Sequence, residues 1–232
     1  MMEYRISPDA YFRKIVKLYQ NARLPKFQKI GGDTETISRG RSSSISSSLE
    51  DLTALFIAKN NPNFCRYFID QPIKFPGDKH PKYPDIVIQN IGSQIDGEIK
   101  HVIDVKTDMG WNRKGLIDFC KKWEEFLNNA LKQDGRKCEF KTGAKKIQKS
   151  GYFAKNMKYH VIIISKENSG TKSDIDRTLK YVNSQLRHVY LYFLSEGIHP
   201  NDYAINTSQD IKKISINYGE FDRLFSHLRS EN

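Results

Sequence analysis

Residues 101–106, His101-Val102-Ile103-Asp104-Val105-Lys106, set two charged side chains two positions apart inside an apolar, β-branched run. Side chains alternate along a strand, so Asp104 and Lys106 project from one face while Val105 packs into the other. Charges in so apolar a setting are costly to bury without partners. Upstream, Tyr83-Pro84-Asp85 leads into Ile86-Val87-Ile88, and the turn-rich stretch from Asn90 to Gly97 joins the two runs. If they pair as a meander, Asp85 comes beside Asp104 and Lys106. Two carboxylates and an ammonium then meet at one point.

The alternation of elements continues outward. Tyr159-His160-Val161-Ile162-Ile163-Ile164 is nearly unbroken apolar sequence, as a strand covered on both faces by helices requires. Helical spacing predicts helices over Asp9–Asn21, Ser47–Lys59 (with Leu49, Leu52, Leu55 and Phe56 on one face), Lys114–Lys132, Ser173–Leu186 and Tyr218–Arg229. Further strands are expected at Phe64–Ile73 and His188–Leu194, and Lys132–Lys158 reads as a cation-rich segment without clear periodicity. Helix, three strands, helix, strand, helix, strand predicts an α/β fold: a mixed central β-sheet flanked by helices. Its first three strands should be antiparallel, and the later ones, reached by crossover helices, parallel.

The composition bounds the function. The 232 residues carry 38 Lys and Arg against 27 Asp and Glu, a formal net charge of +11, which suggests a polyanionic partner. No apolar run approaches a membrane span, and the N-terminus lacks the apolar core of a secretory signal. Cys65, Cys120 and Cys138 show no metal spacing and read as reduced thiols of a cytoplasmic protein. No Ser-His-Asp arrangement, phosphate-binding Walker loop or dinucleotide glycine pattern is present, which argues against those hydrolase, ATPase and oxidoreductase classes.

Two carboxylates at close range repel each other, and a divalent cation relieves the repulsion. Magnesium suits one or two carboxylates completed by water and substrate phosphate. A lysine beside such an ion can hold a water or take its proton, since nearby positive charge and loss of solvent ease release of its own. Pro84-Asp85 followed, after residues 86–103, by Asp104-Val105-Lys106 resembles the signature of the PD-(D/E)XK nuclease superfamily, home of most type II restriction endonucleases. The flanking Tyr83 and Thr107 are similar to the EcoRV-like, blunt-cutting enzymes, as more weakly is Gly31-Gly32-Asp33-Thr34. The signature spans about Glu50 to Lys106; beyond it the likeness rests on element order and length.

The resemblance implies a restriction-endonuclease-like fold and a homodimeric, Mg²⁺-dependent type II enzyme cutting double-stranded DNA at a short palindromic site. In it Asp85, Asp104 and the Val105 carbonyl would ligate Mg²⁺, and Lys106 would handle the attacking water. Glu50 matches the extra acidic residue of the preceding helix, although Ser47-x-x-Glu50 is also a capping box that needs no metal. One domain over 1–232 is expected, with a catalytic core at about 47–195 and peripheral DNA-binding or dimerisation elements at 1–46 and 196–232. Expected DNA contacts are Arg39 and Arg41 in the serine-rich tract, Thr107, Asn112, Arg113 and Lys114 after the catalytic strand, Lys141, Lys145 and Lys146, and Lys172. The alternatives are a repair, phage or junction-resolving nuclease with the same core, or a basic DNA-binding protein of that fold without chemistry.

Overall fold

A computed structural model describes residues 3–24, 41–61, 65–74, 80–91, 97–110, 115–132, 137–142, 147–205, 207 and 209–229, with the backbone alone at 137, 140–142 and 147–150. Its fold is α/β: a mixed sheet with helices on both faces. Strand β1 (Cys65–Ile69) pairs antiparallel with β3 (Ile86–Asn90), and β3 pairs antiparallel with β4 (Glu98–Lys106). Beyond them, β6 (Ile147–Ile163) runs parallel to β4, and β7 (Val189–Phe193) runs parallel to the second half of β6. Helices α3 (Leu116–Lys132) and α4 (Lys172–Gln185) make the crossovers that these parallel neighbours need. The meander and the parallel additions both follow the order expected from the sequence.

Each face of the sheet carries its own apolar layer. On one side α1 (Pro8–Ala22), α2 (Ser46–Asn60) and α5 (Tyr218–Arg229) bury Tyr11, Phe12, Ile15, Leu49, Phe56, Phe221 and Phe225 against Ile86, Ile103, Val105 and Ile162. On the other, α3 and α4 bury Leu116, Cys120, Leu127 and Val182 against Val87, Val102, Tyr159 and Val161. The terminal helices are thus part of the core. Residues 159–164 are buried throughout, the environment their continuous apolar sequence requires. All three cysteines are free. No helix among the described residues is long and apolar enough to cross a membrane.

Several expectations are corrected. Residues 132–158 are not aperiodic: β5 (Lys137–Thr142) and the first half of β6 form an antiparallel hairpin. Gly151 and Phe153 face inward, but the phase breaks at Ala154, also buried, where the β4–β6 register slips between Ile99 and His101. That slip hides a strand's period-two pattern. The stretch 64–73 is not one strand either. Asp70 adopts a left-handed φ of 49° that ends β1, and after Pro72 a short β2 (Ile73–Lys74) joins β5.

In α2, Leu55 is 51% exposed rather than buried, being about 120° round the helix from Leu49. The capping box is absent too. The N-cap is Ile45, without a side-chain bond, and Ser44 Oγ accepts the Ser46 N–H at 3.2 Å, so Ser47 lies inside the first turn. Thr171, by contrast, caps α4: its hydroxyl oxygen accepts the Asp174 N–H at 3.2 Å.

Candidate active site

Ile86 opposes Ile103 across the β3–β4 ladder, so the preceding residue, Asp85, stands level with Asp104. Two main-chain bonds lock the pair. The Asp85 N–H donates to Asp104 Oδ1 at 3.4 Å, and the Val105 N–H donates to Asp85 Oδ2 at 2.6 Å. Lys106 projects from the same face as Asp104. Its Nζ lies 3.3 Å from Asp85 Oδ2 and 4.0 Å from Asp104 Oδ1. Side-chain exposure falls from 38% at Lys106 to 18% at Asp85 and 9% at Asp104, so the amine forms the open side of the cluster.

Electrostatics follow the burial. Burial pushes the Asp104 carboxyl up; the Lys106 ammonium pulls it down and Asp85 pushes it up again. Glu50, half-buried in α2, is raised by burial and by Asp85 and Asp70, against the lowering effect of Lys106. Glu50 therefore feels the field of the site. The carboxylates in contact nonetheless form a pair: no group of three or more His, Cys, Asp or Glu among the described residues is arranged to hold a metal ion. A pair fits magnesium, which takes one or two protein carboxylates and leaves the rest of its shell to water and phosphate. Asp85 and Asp104 offer hard oxygens at one level of the sheet, and Val105 contributes backbone at that level.

Two residues here escape sequence reasoning. The Asp70 N–H donates to the Asp85 carbonyl at 2.9 Å, which sets a further acidic residue just past the end of β1, beside Asp85. Ile69-Asp70-Gln71-Pro72 carries a turn signal that a single long strand obscures. Tyr159, wholly buried, donates its hydroxyl to Asp104 Oδ2. Strand register alone brings it there, and no local pattern marks it.

The expected DNA contacts are placed unevenly. Arg41 and Lys172 are exposed. Thr107 is half-buried and hydrogen-bonded to the Tyr19 phenol of α1. Next to it, His199 Nε2 approaches Asp108 Oδ2 at 3.4 Å, and Ser169 Oγ accepts the Met109 N–H at 3.1 Å. These contacts tie the end of β4 to α1 and to the loop before α4. Lys141 falls in β5, where the backbone alone is described. Arg39, Asn112, Arg113, Lys114, Lys145, Lys146 and Gly31-Gly32-Asp33-Thr34 lie outside the described residues.

Comparison with models of known protein families and with curated proteins returns no match for this chain.

Proposed function

We propose that this chain is a Mg²⁺-dependent DNA endonuclease of the type II restriction class. It would act in the cytoplasm as a homodimer that cuts both strands of double-stranded DNA at a short palindromic site. The observation that carries this reading is the meeting of Asp85, Asp104 and Lys106 at one end of a mixed sheet, with Lys106 Nζ at 3.3 and 4.0 Å from the two carboxylates. The net charge of +11 supports a polyanionic substrate, and the order of elements agrees with the resemblance to PD-(D/E)XK nucleases.

Asp85, Asp104 and the Val105 carbonyl are the groups that would hold Mg²⁺. Bound there, the ion supplies Lewis acidity that neutralises charge on the phosphoryl oxygens and favours ionisation of water. Lys106 Nζ is anchored by Asp85 yet open to solvent, so it can hold the attacking water and, when neutral, take its proton. The Val105 N–H fixes Asp85, and hence the height of the lysine above the sheet. In-line attack at phosphorus breaks the bond to the 3′ oxygen and leaves 5′-phosphate and 3′-hydroxyl ends.

Plasmid DNA incubated with Mg²⁺, and in parallel with EDTA, tests this. Discrete fragments that require the metal are expected. A nick or smear would point instead to a repair, phage or junction-resolving nuclease, and retardation without cutting to a binding protein. Lys106→Ala should lower the cleavage rate by ~100-fold or more while the protein still retards DNA, since a positioned proton-transfer group contributes about 10²–10⁴-fold. Cutting by that variant at the wild-type rate removes Lys106 from the mechanism. Asp85→Asn should abolish metal-dependent cutting, and normal activity would mean that the first carboxylate lies elsewhere.

A further inference from the structure

We infer that Tyr159 is a positioning residue for Asp104, whose phenol occupies Oδ2 so that Oδ1 is presented to a divalent cation beside Asp85 and Lys106. This rests on the nuclease reading above. Tyr159 opposes Val102 in the parallel β4–β6 ladder and shares the face of Asp104, two positions further along β4. Its hydroxyl donates to Asp104 Oδ2. The other carboxylate oxygen, Oδ1, accepts the Asp85 N–H at 3.4 Å and lies 4.0 Å from Lys106 Nζ. The two oxygens thus have separate duties: one is tethered inward to the sheet, and the other faces the cluster.

The ring that delivers this hydroxyl cannot swing away. It is 0% exposed and stacks on Trp123 of α3 at 4.0 Å between centroids and 16° between planes. Phe119 closes on it at 6.2 Å. A buried phenol needs a hydrogen-bond partner, and tyrosine offers a rigid lever that places one donor with few torsions to order. The acceptor it finds is a carboxylate, so the bond is charge-assisted and stronger than a neutral one. Groups that orient a ligating carboxylate from behind matter to metal affinity nearly as much as the ligand itself.

Tyr159→Phe removes this hydroxyl alone and keeps the ring in its stack. The ¹³C shift of the Asp104 carboxyl in the metal-free protein at fixed pH should move, because one of its two oxygens has lost its donor. Calorimetric titration with Mn²⁺ should show affinity weakened about tenfold, the lower end of what losing such a support costs. Trp123→Phe, which loosens the stack without touching the hydroxyl, should shift both in the same direction by less.

A Mn²⁺ affinity unchanged in Tyr159→Phe overturns the inference. Failure of the nuclease reading is distinguished in the unaltered protein, which would then bind Mn²⁺ without cutting DNA. Absence of Mn²⁺ binding there overturns both.

Discussion

Asp104 shows how far a single residue can be held against its own solvation. Burial and the neighbouring Asp85 disfavour its charge more than Lys106 and the Tyr159 hydroxyl favour it, so its carboxyl stands above the ordinary value. A neutral isostere should therefore stabilise the fold while removing the chemistry. Asp104→Asn is expected to raise the thermal midpoint at pH 7, by about 2–4 °C for each kcal/mol relieved in a chain of this length, and to abolish cleavage. A lower midpoint would mean that the Lys106 contact and the bonds from Tyr159 and the Asp85 N–H together outweigh burial. Glu50→Gln is expected to leave the fold intact or firmer, since the α2 cap does not use Glu50 and burial raises its carboxyl. Asp85, Asp104 and Lys106 were legible because strand alternation and a meander suffice to bring them together. Asp70 and Tyr159 were not, because they reach the site through cross-strand register, which no local window contains.

Among the elements, those with a clean period were readable and those with an interrupted one were not. Residues 218–229 form α5 as their spacing predicts, whereas the β5–β6 hairpin was hidden by the phase slip at Ala154 and by the lysines along it. Nothing in the local sequence of α5 shows how it is fastened. His101 Nδ1 and His160 Nε2 share a hydrogen bond at 3.0 Å. His160 Nδ1 lies 3.0 Å from the Tyr192 hydroxyl, which lies 2.7 Å from His227 Nδ1. The bonds run unbroken from β4 through β6 and β7 to α5, and burial keeps the rings neutral. Tyr192→Phe would strand a ring nitrogen at each end of the missing hydroxyl, one of them fully buried. The expected loss is ~1–3 kcal/mol for each group left unsatisfied, measured by urea unfolding, with faster amide exchange concentrated in α5. Unchanged exchange in α5 would show that the tether is dispensable.

For the molecule as a whole, the same chain of rings couples stability to pH. Burial holds His101 down to about 3 and His227 to about 4, and keeps His160 well below its ordinary value. The charges facing them are cationic: Lys100 and Lys158 act on His101, and Lys158 and Arg223 on His160 and His227. In the unfolded chain the three titrate near 6.5. Below that pH the unfolded state binds protons that the folded state refuses, so their contribution is complete above about 6.5 and is lost as the pH falls toward the folded values. Each ring that stays neutral adds a slope approaching ~1.4 kcal/mol per pH unit once the pH is well under 6.5. Asp104 and Glu50 act with the opposite sign, because their folded values are raised, but they are two groups against three rings. Between pH 6.5 and about 5 the histidines therefore decide, and the formal charge of +11, which protonation only increases, works in the same direction through self-repulsion. Urea unfolding at pH 8, 7 and 5 should give nearly constant stability over the first interval and a drop of more than ~1 kcal/mol over the second. A flat profile would require the rings to take up protons inside the fold as readily as in the unfolded chain.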